Sequence, residues 1–108
     1  MAAEGKIQKD ILDHLKKKGV FCWRNNNGAL FDQKLNSGYG GYRSNGVMKG
    51  VADILGIMPD GSGRMLAIEV KGPKGKQSME QVLFQKRIEK GGGVYILADC
   101  IEDVDSVA

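Results

Sequence analysis

The stretch that decides the fold is VADILGIMPDGSGRMLAIEVK, residues 51–71. Its two arms are apolar and rich in β-branched residues. Between them, Pro59-Asp60-Gly61-Ser62-Gly63 gathers the residues that turns require: proline presets φ, glycine tolerates positive φ, and aspartate bonds back to nearby backbone. We read Val51–Met58 and Arg64–Lys71 as the antiparallel strands of a hairpin. The second arm has a clear period of two, with Leu66, Ile68 and Val70 on one face and Met65, Ala67, Glu69 and Lys71 on the other. Pro73 has no N–H to give a ladder, so this strand ends near Gly72. With the turn centred near residues 60–63, pairing brings the end holding Glu69 and Lys71 beside Asp53, which opens the preceding strand.

Two carboxylates and an ammonium at one end of a hairpin are costly beside Met65 and Ala67 unless that face is open to solvent or a ligand. A Glu-x-Lys pair alone also fits an ordinary ion pair on a half-exposed sheet edge. Asp53 changes the balance. The three groups together suit a hard divalent cation, bound through oxygens of Asp53 and Glu69, the Val70 carbonyl, waters and a substrate phosphate. Lys71 would hold the attacking water or a phosphate oxygen. The metal would acidify its water and neutralise charge developing on the phosphate, as phosphodiester hydrolysis requires.

On the N-terminal side, residues 4–18 place Ile7, Ile11, Leu12 and Leu15 on one stripe of a helix that Gly19 stops. Lys16, Lys17 and Lys18 suit the negative end of its dipole, with a DNA contact as the other reading. Val20–Arg24 reads as a strand ending in the turn-forming Asn25-Asn26-Asn27-Gly28. From Ala29 to Gly50 the chain is rich in Gly, Asn and Ser, with Lys34, Tyr39, Tyr42, Arg43 and Lys49 interleaved. Such a stretch is usually functional or disordered. Its basic and aromatic side chains suit phosphates and bases; a hairpin without a partner is the plainer reading. On the C-terminal side, Ser78 begins a helix running to about Lys90, Gly91-Gly92-Gly93 ends it, Val94–Ala98 forms a fourth strand, and Cys100–Val107 adds a short helix. The order predicts an α/β sandwich around a mixed sheet.

Composition agrees with one small domain over residues 1–108. The 42% hydrophobic and 27% charged content excludes collagen-like, disulfide-scaffold and wholly disordered chains. A chain of 108 residues buries only about 60 to 65% of its unfolded surface, so dimerisation would help to stabilise it. The longest apolar runs are too short for a bilayer, and Met1-Ala2-Ala3-Glu4 starts no signal peptide, so a cytoplasmic protein is expected. Cys22 and Cys100 are too few for a zinc site and read as reduced thiols. The net charge of +3 is compatible with an anionic partner.

Gly50-Val51-Ala52-Asp53-Ile54, then Ile68-Glu69-Val70-Lys71, then Gly75 through Ser78 to Gln81, resemble the virus-type replication-repair nuclease (VRR-NUC) family of the PD-(D/E)XK, restriction-endonuclease-like superfamily. The likeness covers nearly the whole chain, because the opening Glu4-Gly5-Lys6-Ile7-Gln8 and the Gly-Gly-Val-Tyr-Ile-Leu strand also sit where that family has them. It implies a restriction-endonuclease-like core, a mixed β-sheet flanked by helices, and an endonuclease dependent on Mg2+ or Mn2+. Asp53 and Glu69 would be metal ligands and Lys71 the catalytic lysine. Ala52 stands where the superfamily usually has proline, a residue that shapes backbone and binds no metal.

Glu4 matches the family's additional acidic residue. It lies three and seven residues before Ile7 and Ile11, so it shares their inward face and would reach the metal directly or through water; a carboxylate favoured by the helix dipole is the other reading. Gln81 corresponds to a glutamine that orients phosphate or water, yet Ser78-Met79-Glu80-Gln81 is equally a capping box. Lys74 and Lys76, like Arg43, Lys49 and Tyr42, suit nucleic-acid contacts, although solvated side chains would also explain them.

Single-domain members of the family resemble Holliday-junction resolvases, which act as dimers. The resemblance therefore implies branched DNA as substrate, a homodimer whose two sites suit a four-way junction, and replication or repair in a bacterial or virus-infected host cell. Two rivals stand beside it. A noncatalytic nucleic-acid-binding module would use the same basic residues but leave Asp53 and Glu69 as unwelcome charges near phosphate, and an RNA nuclease would use the same site.

Overall fold

In the computed structural model, which describes residues 2–25 and 48–108, the element order is α1 (Ala2–Lys17), β1 (Cys22–Arg24), β2 (Ile54–Ile57), β3 (Met65–Val70), α2 (Met79–Lys90), β4 (Val94–Ala98) and a 3-10 helix (Ile101–Val104). Tyr42 and Arg43 lie outside the described residues, as do Lys34 and Tyr39. The strands form one sheet in the order β1-β2-β3-β4. β1 and β2 pair antiparallel, as do β2 and β3, whereas β3 and β4 pair parallel. A parallel pair needs a crossover connection, and α2 supplies it. The fold is thus α/β with a mixed sheet between helices, as the sequence predicts. Among the described residues, no helix is long and apolar enough to cross a membrane.

The hairpin forms where its turn residues require it. Ser62 N–H donates to Asp60 Oδ1 at 3.0 Å and the Arg64 guanidinium meets Asp60 Oδ2 at 2.7 Å, while Gly61 and Gly63 take φ of 80° and 76°, values open to glycine without a Cβ penalty. Pairing then sets Ile57 opposite Met65 and Ile54 opposite Ile68. Both strands are shorter than the sequence suggests. Asp53 does not open β2 but immediately precedes it, because its carboxylate replaces a ladder partner: Val70 N–H donates to Asp53 Oδ2 at 2.8 Å. Lys71 likewise falls just beyond β3, with its N–H on the Ala98 carbonyl of β4 at 3.0 Å.

The sheet has a core on each face. On one, Ile11 and Leu15 of α1 pack with Ile54, Leu66, Ile68, Val70 and Ala98, joined by Val104 and Val107 from the C-terminal segment. Ile11 and Leu15 are fully buried, each gaining about 1.5–3 kcal/mol by leaving water. On the other face Phe84 of α2 covers Ala52 and Ala67, flanked by Leu55, Ile88 and Tyr95. The β3–β4 crossover thus seats α2 over Ala67, two residues before Glu69.

Candidate active site

Glu69 is the single charged side chain that is buried among the described residues, at 3% exposure. The sheet order explains this. β4 pairs with the outer side of β3, so Glu69 stands on an internal strand, and the reading of an ion pair on a half-exposed edge does not hold. Lys71 Nζ lies 3.6 Å from Glu69 Oε2, and Gln81 Nε2 donates to the same oxygen at 3.0 Å. Among the described residues no donor reaches the other oxygen, Oε1, which is buried, and the Asp53 carboxyl lies close enough to share a proton with Glu69.

These neighbours set the electrostatics. Burial first, and then the charge of Asp53, push the Glu69 carboxyl up to about 7, although the Lys71 ammonium opposes the shift. Asp53 is also raised, chiefly by burial, while the N–H of Val70 works against it. A close carboxylate pair, partly desolvated and with one oxygen that no donor among the described residues reaches, is an unfavourable arrangement by itself. The donor set fits a hard divalent cation, which takes oxygen ligands and would offset both the repulsion and the missing partner.

Glu4 reaches this region from the other end of the chain. Its Oε2 accepts the N–H of Gly72 at 3.0 Å, just past Lys71, and its charge adds to the elevation of Asp53. Glu4, Asp53 and Glu69 nevertheless do not form a tight three-ligand cage. Among the described residues, the acidic or thiol triad whose ligand atoms all fall within 4.8 Å is Asp99, Cys100 and Asp103, beyond β4. That group is largely exposed, and Asp103 Oδ2 already accepts the N–H of Asp99 at 2.9 Å.

For Gln81 the two sequence readings describe two ends of one amide. Its Oε1 accepts from Ser78 N–H at 2.8 Å and its own N–H donates to Ser78 Oγ at 3.1 Å, closing the capping box. Its Nε2 is then left to bond Glu69. Lys74 and Lys76 are exposed in the loop between β3 and α2, and Lys49 is exposed beside the start of α2. Lys71, Gly72, Pro73 and Gly75 border a cavity of about 330 Å3 that Asp99 and Asp103 also line.

Three contributors escaped sequence reasoning. Gly50 takes φ of +82°, and a Cβ on it would lie 2.4 Å from the backbone carbonyl of Glu80 and 2.8 Å from Gln81 N. It therefore lets the Asp53 segment press against the first turn of α2. Its place in the Gly-Val-Ala-Asp motif was the available signal. Gln77 donates to Tyr95 Oη at 3.1 Å and to Gln85 Oε1 at 3.0 Å, tying the lysine-bearing loop to β4 and α2. Burial pushes the Tyr95 hydroxyl up to about 12, so it remains protonated. No local pattern announces that contact.

A family model described as the VRR-NUC domain matches residues 2–99, a span that includes every candidate catalytic residue named above. Searches of curated proteins and of solved structures gave no match.

Proposed function

The chain belongs to the VRR-NUC domain family, which implies a nuclease-type function, and from that premise we propose that it is a Mg2+- or Mn2+-dependent endonuclease acting on DNA. The observation that carries the metal reading is the buried Glu69, whose Oε1 no donor reaches among the described residues, beside Asp53 and Lys71. Asp53 and Glu69 would hold the cation together with the Val70 carbonyl. When bound, the cation supplies Lewis acidity, lowering the pKa of a water and offsetting negative charge on the phosphate.

The remaining work falls to the chain itself. Gln81 holds Glu69 through Oε2, leaving Oε1 as the free donor. Asp53 is fixed by the N–H of Val70, so both carboxylates are oriented by groups already bonded elsewhere. The Lys71 ammonium holds the attacking water or a phosphate oxygen, and its charge favours the anionic transition state. Glu4, anchored on Gly72 N–H, acts through water. Lys49, Lys74 and Lys76, with Arg43 and Tyr42, contact phosphates and sugars and thereby set the position of the strand without reading its sequence.

We extend the proposal to branched DNA cut by a homodimer in a bacterial or virus-infected cytoplasm. Support comes from the likeness to junction resolvases and from the match between a two-fold dimer and a four-way junction. The test is to incubate wild type, Asp53→Ala and Lys71→Ala with labelled four-way junction, flap, linear duplex, single strand and matched RNA, in Mn2+, Mg2+ or EDTA. Metal-dependent cutting of DNA by wild type alone is expected, with the junction cut best. Binding without cutting in every condition, or undiminished cutting by Asp53→Ala, overturns the assignment. Light scattering at working concentration should give the mass of a dimer.

A further inference from the structure

Among the described residues, the sheet face that carries Glu69 is only half covered. α2 packs over it through Phe84, Ile88 and Tyr95, but toward β1 the same face leaves Phe21 70% and Trp23 40% exposed. Register and alternation establish that the face is shared. Trp23 pairs with Leu55, Leu55 pairs with Ala67, and Ala67 precedes Glu69 by two residues. The ladder also runs past both ends of β1: Ile57 N–H donates to the Phe21 carbonyl at 3.0 Å, and Asn25 N–H donates to the Asp53 carbonyl at 2.7 Å. The aromatic pair is thus bonded through backbone directly to the segment that holds Asp53.

Strand spacing gives the reach. Two steps of about 4.8 Å across the sheet and two of about 3.3 Å along it put the Trp23 backbone on the order of 12 Å from that of Glu69. That is the length of roughly three to four stacked nucleotides at 3.4 Å each. The two rings are 5.3 Å apart and tilted at 52°, so each restrains the other while both keep exposed area.

Charge decides which occupant suits them. Arg24 follows Trp23 but alternates to the α1 face with its partner Ile54, so the cations on the aromatic face come from elsewhere. Lys49 and Arg87 line a cavity of about 200 Å3 against Phe84, with Glu80 as its one acid, and the chain as a whole carries +3. Basic groups on the α2 side of the sheet, with Lys71 beside Glu69, and exposed aromatic rings on the same face match a single nucleic-acid strand, which offers phosphates to the cations and π-faces to the rings.

We propose that Phe21 and Trp23 form a stacking platform for an unpaired base of the DNA strand whose phosphate enters the Asp53, Glu69 and Lys71 site. The proposal rests on the nuclease reading for that neighbouring phosphate. It gives the site a preference for substrates with an unpaired strand close to the cut.

Trp23 is the one tryptophan in the chain, so its fluorescence reports the platform directly. Wild-type protein in EDTA is titrated with a short oligothymidylate and with an abasic strand of equal length and phosphate number. The oligothymidylate should quench the indole, and the abasic strand should leave it nearly unchanged. By anisotropy with labelled strands, Trp23→Ala and Phe21→Ala should each bind the base-bearing strand roughly tenfold more weakly. Neither should change abasic binding, and Trp23→Phe should restore most of the loss, with circular dichroism checking the fold of each variant.

Equal quenching by the two strands, or unchanged affinity in Trp23→Ala, overturns the platform. So does a dimer by light scattering that dissociates in Trp23→Ala, because the face would then join two copies of the chain. Cutting in Mn2+, assayed in parallel, separates the two readings. Base-dependent quenching without cutting removes the nuclease and keeps the platform, whereas cutting without base-dependent quenching does the reverse.

Discussion

Gly50→Ala tests how the Asp53 segment is seated, and a second glycine in the same chain provides the control. Gly50 and Gly61 both have positive φ, +82° and +80°, so an alanine at either position adopts a left-handed conformation at a cost of about 1–2 kcal/mol. Only at Gly50 does the new Cβ meet backbone. It would stand 2.4 Å from Glu80 C and O and 2.8 Å from Gln81 N, whereas at Gly61 nothing lies within 4 Å. Forcing a methyl into packed structure adds about 1–3 kcal/mol, so Gly50→Ala should cost roughly 2–5 kcal/mol in all. The start of α2 must retreat by about an ångström to restore ordinary contact, and Gln81 moves with it, away from Glu69. A displacement of that size at a catalytic centre lowers turnover on the order of a hundredfold. Urea unfolding followed by Trp23 fluorescence measures the stabilities, and cutting under conditions where both variants remain folded measures the second effect. Equal destabilisation by Gly50→Ala and Gly61→Ala would refute the close approach. Full activity in a folded Gly50→Ala protein would refute its consequence for the site.

Other outcomes follow from the same geometry. In EDTA, stability should fall as pH rises from about 4.5 to 7 because native Glu69, raised to about 7, binds a proton that the unfolded chain has released; Mn2+ should flatten that slope, and a metal-independent slope in thermal melts would count against the paired-carboxylate site. Ser78→Ala removes the helix cap and should cost about 1 kcal/mol while preserving most activity, because Gln81 Nε2 can still reach Glu69; Gln81→Ala should lose the cap and the activity together. Leu15→Ala, at a fully buried position remote in sequence from the catalytic cluster, should cost about 2–5 kcal/mol in urea unfolding yet leave turnover intact while the protein stays folded.

What the sequence determined by itself was local. The hairpin needs only alternation in one arm and a Pro-Asp-Gly-Ser-Gly turn, both carried within residues 51–71, and β4 and α2 are delimited by the Gly91-Gly92-Gly93 stop. Antiparallel pairing about that turn already brings Asp53 toward Glu69 and Lys71. Strand ends were less legible. Asp53 ends the pairing with β3 by using a side-chain oxygen where backbone was expected, and no propensity scale records that exchange.

Tertiary structure alone decided the environment of that cluster. Glu69 is buried because β4 pairs in parallel on the far side of β3 and α2 crosses above, so its elevated carboxyl depends on elements that follow it in the chain. Glu4 meets Gly72 across 68 positions, and the two uses of Gln81 become compatible only when Glu69 lies within reach of the amide's second end. The exposure of Phe21 and Trp23 has the same origin: alternation predicts their face, but the position of α2 determines which part of it stays open. Periodicity and turn chemistry act over a few residues and are therefore written in the sequence. Burial and charge coupling depend on distances through space, which exist only after the chain has folded.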